Sequence, residues 1–427
     1  MPGKKLSHGL TVVLALATAV LLATGTRAAA QKATVLHSFN GKNGNQSYAG
    51  LIFDAAGNLY GTTSIGGAYN GGTVFELSPK EGGGWAKKVL HDFKPNEVGG
   101  SSPYGNLILD AADNLYGTTS HGGVHGSGTV FELTRNAGGG WKEKLLYSFG
   151  AFISDGAFPY SSVVFDTAGN LYGTTAEGGG VECFGSGCGT VFELMPTPGG
   201  GWKEKILHRF QSNGMDGIGP IGGVIFDAAG DIYGTTSQGG GPQCSGEGGA
   251  PGCGTVFELA PNADGTWTET LIYAFSGNYW DGVSPYSDLV FDKAGNLYGT
   301  TYDGGEADNG TVFELTPEGG GSWVEKILHA FGEHATDGTA PYAGVIVDTA
   351  GNLYGTTTQG DGYVIGTVFE LTPVPNGGWT ETVLHRFNGR DGSQPWAGVI
   401  SDGAGNLYGT TYAGGAYGDG TVFEIRP

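Results

Sequence analysis

DAAGNLYGTTSIGGAYNGGTVFEL, residues 54–77, decides how this chain folds, because the same run returns until the sequence ends. Its tyrosine recurs as Tyr60, Tyr116, Tyr172, Tyr233, Tyr298, Tyr354 and Tyr408, in steps of 56, 56, 61, 65, 56 and 54 residues. A period this long and regular outranks any domain count drawn from the 427-residue length.

Each period contains four strand-like runs separated by Gly, Pro and Asp. In the second copy they are 104–110, 114–120, 128–133 and 141–149, here named strands A to D. A tight turn after an Asp joins A to B, and a Gly-rich loop joins B to C. A Gly-rich turn ending at a tryptophan (Trp85, Trp141, Trp202, Trp267, Trp323 or Trp379) joins C to D. The D–A connection is the longest in most copies, as needed where an outermost strand feeds the innermost strand of the next unit. Four short antiparallel strands repeated seven times predict an all-β fold, a seven-bladed β-propeller in one domain. The coils of a β-helix are much shorter than these periods. The blades are expected at about 47–94, 103–150, 159–211, 220–276, 285–332, 341–388 and 395–427, the last completed by 32–40.

That completion follows from the two ends. The sequence stops at GTVFEIRP, 420–427, a C strand with no D strand behind it. ATVLHSF, 33–39, resembles the endings of repeats (VLHDF, LLYSF, ILHRF), so it is expected to pair with the last C strand and remove two raw sheet edges.

Composition narrows the partners. The 85 glycines follow no three-residue period, which excludes collagen, and 11% aromatic residues argue against disorder. Residues 1–30 read as an export signal: Lys4 and Lys5, an apolar run over 10–22, then Ala28, Ala29 and Ala30. Its removal takes three basic residues and no acids, leaving 17 basic against 41 acidic side chains and moving the net charge from −21 to −24. Such a surface repels phosphate backbones, so no nucleic-acid partner is expected. Nothing after the signal is long and apolar enough to span a membrane. The expected product is a secreted or periplasmic monomer.

Residues repeated in all copies read as scaffold. The series Asp54, Asp110, Asp166, Asp227, Asp292, Asp348 and Asp402 stands at the A–B turn, where a carboxylate accepts backbone N–H groups. Glu76, Glu132, Glu193, Glu258, Glu314, Glu370 and Glu424 form a lattice within strand C. His37, His91, His208, His329 and His385 share a strand-D position with Tyr147 and Tyr273, which suggests packing and hydrogen bonding rather than metal ligation.

The run D-x-x-GNLYGTT, then GG, GTVFEL and a tryptophan, resembles the GloVer tandem repeat of exported bacterial choice-of-anchor proteins. The likeness spans essentially the whole mature chain. It implies an extracellular location and a repeat fold, and no activity. Family members carry C-terminal sorting tails, whereas this sequence has none after Pro427, so release rather than anchoring is expected.

Functional candidates are found where the copies differ, on the face shared by the B–C and D–A loops. The D–A loops carry DG-x-x-P followed by one ring position: Tyr48, Tyr104, Tyr160, Ile221, Tyr286, Tyr342 and Trp396. Beside them stand Asp155, Asp281 and Asp391. Aromatics next to carboxylates suit a sugar, since Tyr and Trp present an apolar face and a polar edge. The bland alternative, rings packed between neighbouring blades, is the one the sequence favours.

The third and fourth B–C loops are longer and hold Cys183 with Cys188 and Cys244 with Cys253. In an exported chain these suggest two disulfides, each within its own loop; pairing across loops and a four-thiolate zinc site are the alternatives. No cofactor is expected, although Asp303, Glu306 and Asp308 form an acidic fifth B–C loop of a kind that suits calcium. His121, His125 and His334 fall outside the pattern, and no known catalytic motif is present.

The first functional expectation is a non-catalytic module that binds a glycan or an extracellular protein on the loop face. The second is a carbohydrate-active lyase or hydrolase, its acids drawn from Asp155, Asp216, Asp281, Asp337 and Asp391, with His121 or His334. The third is a structural spacer.

Overall fold

A computed structural model describes residues 33–95, 98–183, 185–241, 252–332, 337–360, 365–375 and 377–426. The expected export signal, Cys244 and His334 lie outside these residues. Within them the chain is all strand and turn, arranged as seven four-stranded antiparallel sheets in a ring, a seven-bladed β-propeller. No helix there is long and apolar enough to cross a membrane.

The fifth blade shows the plan, with strands Val290–Phe291, Leu297–Thr301, Thr311–Glu318 and Ser322–Ala330 running from the axis outward. Strand A is much shorter than its sequence run. Only its second half pairs with B, because the first half turns toward the axis and takes partners from neighbouring blades. Thr118 Oγ1, for example, donates to the Ser161 carbonyl of the next blade at 2.7 Å. Equivalent threonines of the later blades repeat that bond, and Thr410 Oγ1 closes it onto the Ala49 carbonyl at 2.7 Å, whereas Thr62 Oγ1 of the first blade has no such partner.

Closure occurs as the two ends predict. Thr34–Ser38 pairs with Thr421–Ile425 as the outer strand of the last blade. It also carries the strand-D bulge, between Val35 and His37, which the other six C–D pairs have at the corresponding step.

The core is divided among the seams between blades. Tyr60, Val74, Leu90 and Phe93 of the first blade pack on Leu107, Leu115, Phe131 and Leu133 of the second. Six further clusters of the same make-up follow, including Phe39, Tyr408 and Val422 against Leu51, Leu59, Phe75 and Leu77 at the closing seam. Burial of each such ring contributes about 1.5–3 kcal/mol. The glycine of YGTT is a steric requirement: a Cβ on Gly117 would stand 2.8 Å from Phe131 Cζ.

The Asp series is a turn device. Asp54 Oδ1 accepts the backbone N–H groups of Ala56 and Asn58, while Oδ2 accepts the Asn58 amide and the Tyr60 hydroxyl. Burial pushes its pKa upward, but these donors outweigh that and hold it below the usual carboxylate value. From the second blade on, the same tyrosine position also donates to the strand-C glutamate, as in Tyr116 to Glu132 at 3.0 Å.

Candidate ligand-binding site

The D–A and B–C loops share one face, and they are stitched together there. Gly156–Ala157 pairs with Glu177–Gly178, and three later blades repeat this two-stranded sheet. Just before each innermost strand the backbone makes a sharp corner. Ser102, Phe158, Ser284, Ala340 and Gln394 adopt left-handed φ values of 54–58°, each followed by a proline of fixed φ. The corner directs the next residue inward.

That next residue is the ring position. Tyr48, Tyr104, Tyr160, Ile221, Tyr286, Tyr342 and Trp396 all line one axial cavity of about 330 Å³. The rings also touch from blade to blade. Tyr48 stacks on Tyr104 at 4.4 Å and Tyr286 on Tyr342 at 5.0 Å, while Tyr342 meets Trp396 at 4.8 Å and Tyr104 meets Tyr160 at 5.3 Å. The favoured sequence reading, rings hidden between blades, therefore needs correction: interblade packing is present, but it takes place in the wall of the cavity. Six aromatics form a continuous arc, and Ile221 occupies its gap. Burial is the main cause that raises the Tyr48 and Tyr342 phenols above their ordinary pKa, which keeps their hydroxyls protonated.

Two residues further along each strand lies a second tier. Asn106, Ser162 and Asp288 occupy it, and Gly50, Gly223, Gly344 and Gly398 leave it open elsewhere. Asn106 Oδ1 accepts the Gly50 N–H at 2.6 Å, and Asp288 Oδ1 accepts the Gly223 N–H. Asp288 faces the channel but is surrounded by protein atoms, and desolvation raises its carboxyl despite the Gly223 bond. The sequence reading missed this tier, whose signal is a polar residue where other copies have glycine. It also missed Tyr302 and Tyr412, which directly follow YGTT and lie against Tyr286 at 5.6 Å and Tyr48 at 5.0 Å.

Asp155, Asp281 and Asp391 are elsewhere. None lines the cavity; each is set against the strand-D aromatic or imidazole of its own blade. Asp155 accepts the Gly150, Ala151 and Gly156 N–H groups and the Tyr147 hydroxyl, and Tyr147 also donates to Glu204 of the next blade at 2.9 Å. The result is a Tyr–Asp–Glu group across the seam. Burial first, then the neighbouring aspartate, lifts Glu204 and Glu325 to about 8. His37 Nε2 meets the Asn43 amide at 3.2 Å, and His91 Nε2 meets Glu143 at 3.6 Å.

Cys183 and Cys188 form a disulfide within the third B–C loop, as expected. Cys253 is disulfide-bonded as well. Asp303, Glu306 and Asp308 do not converge. Asp308 Oδ1 caps the Gly304 N–H at 3.0 Å, and Glu306 meets the Tyr279 hydroxyl at 3.3 Å. His121 is exposed and bonds Ser120 Oγ at 2.8 Å.

The sequence profile of a family described as the Gloeobacter/Verrucomicrobia repeat matches residues 24–247 and 243–427. No curated protein matches the chain. Among solved structures, an ancestral GH74 enzyme is 14% identical at a TM-score of 0.55, over 90% of this chain and 48% of that one. This chain thus spans about half of that enzyme. A gluconolactonase from Xanthomonas campestris is 15% identical (TM-score 0.42, 77% of this chain and 87% of that one). A glucose dehydrogenase is 13% identical (TM-score 0.41, 93% and 99%). At such identities the GH74 likeness speaks for the fold and not for chemistry.

Proposed function

We infer, from the premise that the chain belongs to the Gloeobacter/Verrucomicrobia repeat family, that it is an exported, non-catalytic module that binds a glycan in its axial cavity. One observation carries this reading: six aromatic side chains from separate blades converge on a single cavity whose second tier carries Asn106, Ser162 and Asp288. Its volume falls in the range of small-molecule sites. The aromatic faces suit the apolar C–H face of a sugar, and Asn106, Ser162, Asp288 and the tyrosine hydroxyls suit its hydroxyl groups. Export is supported by the Cys183–Cys188 disulfide, a bond that persists in oxidising compartments.

The hydrolase alternative is disfavoured by the carboxylate count. Glycoside hydrolysis ordinarily uses two carboxyl groups flanking the scissile bond, and Asp288 is the one carboxylate among the cavity-lining residues. Asp155, Asp281 and Asp391 are held in the seams.

The test is a glycan array with the purified chain, followed by titration calorimetry on the hits with wild type and with Tyr104→Ala and Trp396→Ala. Binding that weakens at least tenfold in both variants, without release of reducing ends, supports the reading. Hits unaffected by either substitution would move the ligand off the axis, and turnover would make the protein an enzyme.

A further inference from the structure

Four of the seven seams between blades repeat one arrangement: a strand-D His or Tyr, an Asp from the D–A loop that follows, and a Glu from strand D of the next blade. Two seams have Tyr, as Tyr147–Asp155–Glu204 and Tyr273–Asp281–Glu325. Three seams lack an acid, with Asn43 and Lys87, Gly99, or Ala33 in place of one or both. The remaining two are His208–Asp216–Glu269 and His329–Asp337–Glu381. Among the described residues these alone gather three His, Cys, Asp or Glu ligand atoms within 4.8 Å of one another.

The His329 seam differs from its tyrosine counterparts in how its aspartate is satisfied. The Asp337 side chain is 1% exposed, and while its Oδ2 accepts the Gly332 N–H at 3.0 Å, its Oδ1 has no hydrogen-bond partner. Glu381 Oε1 has none either, as in Glu204 and Glu325 of the tyrosine seams. Asp155, in a tyrosine seam, takes four donors. A buried carboxylate oxygen left without a partner is costly. His329 Nε2 stands 3.3 Å from Asp337 Oδ2 but makes no hydrogen bond. That separation is close to the edge of a tetrahedron, roughly 3.3–3.4 Å for metal–ligand bonds near 2.0–2.1 Å. The site can be reached, because His329 lines a surface cavity of about 440 Å³ with Trp280 and Glu325.

We propose that His329, Asp337 and Glu381 form a divalent transition-metal site; at His208, Asp216 and Glu269 the aspartate is already bonded by His208, Gln211 and Gly217, so that cluster serves as the comparison. One imidazole and two carboxylates are a nitrogen–oxygen set suited to zinc and its first-row neighbours, whereas calcium takes oxygen ligands alone. A bound ion would tie adjacent blades together at the loop face, as the tyrosine hydroxyl does in the alternate seams. The reading departs from the sequence expectation of packing histidines and is independent of the axial cavity.

The internal repeats supply the variant for the test. Tyrosine already occupies this position in two blades, so His208→Tyr and His329→Tyr should fold. Untagged chain is dialysed against zinc chloride and bound zinc is measured by atomic absorption, with cobalt(II) visible spectra reporting coordination. The expected uptake is one ion in wild type and in His208→Tyr and none in His329→Tyr, with the metal-free melting temperature retained. Glu381→Gln, which keeps the histidine, should also abolish uptake. Equal zinc uptake by wild type and His329→Tyr or Glu381→Gln, or none by wild type, overturns the proposal.

Discussion

Glu204 shows how position alone can set the chemistry of a side chain. Burial, and then the charge of Asp155, raises its carboxyl to about 8, and Glu325 beside Asp281 behaves the same way. An unfolded glutamate titrates at about 4.3. Between that value and about 8 the folded carboxyl keeps a proton that the unfolded chain has released. The stability it contributes is therefore complete below pH of about 4.3 and is lost as pH rises through the folded value. Melting temperature should fall between about pH 5 and 9, and Glu204→Gln with Glu325→Gln, whose amides need no proton, should fall less; parallel thermal melts would rule out a held proton. Glycine provides a second residue-scale prediction. A Cβ on Gly299 would lie 2.6 Å from Phe313 Cζ and 2.9 Å from Leu289 Cδ2, whereas one on Gly403 meets nothing within 4 Å. Gly299→Ala should cost about 1–3 kcal/mol in urea denaturation, and Gly403→Ala should be close to neutral. Equal midpoints would mean that the phenylalanine ring can shift without penalty.

Among elements, the strand Thr34–Ser38 has the most asymmetric task, since it is made first and pairs with the last. Phe39 behind it reaches Phe75 of the first blade at 5.2 Å, and Ala33 before it enters the core of the seam between the last two blades. Deleting 33–39 would bare the edge of Thr421–Ile425 and empty parts of two seams. It should lower stability by more than Phe39→Ala, which alone should cost about 3–5 kcal/mol. Calorimetry that found the deletion milder than the point substitution would show that the ring does not depend on this strand. Strands B, C and D were legible in the sequence because their apolar alternation and glycine punctuation repeat in nearly every copy. Strand A was overextended in that reading, because residues 104–107 keep the look of a strand while Tyr104 and Asn106 serve the axis and the preceding blade. No local pattern encodes that change of partner.

At the scale of the whole molecule, circularity could be read from two short matching segments, but the seams could not. Tyr147, Asp155 and Glu204 join across 57 residues, and the sequence offered Asp155 as a loop ligand because its partner in the next strand D could not be seen. The axial cavity was half legible: the ring position stood out as an aromatic column, while Asp288 and Asn106 were masked by glycines in the other copies. Closure itself can be tested by moving the cut in the chain. Transferring residues 33–40 behind Arg426 through a Gly-rich turn like that at 318–322 retains every pairing of the folded ring. In the natural order, parting the first and last blades requires stripping the Thr34–Ser38 ladder from Thr421–Ile425. In the permuted order that ladder no longer joins them, and a side-chain seam, the Thr410–Ala49 bond and the Gln46 N–H to Asp419 carbonyl bond remain. Local opening should then become easier than global unfolding at that one place. Amide exchange should quicken in Leu59–Thr63 and Leu407–Thr411 of the permutant, but not in Ile232–Thr236 on the far side of the ring. Unchanged protection at the cut seam would mean that apolar packing between blades suffices to close the propeller, and that the shared strand secures only its own sheet.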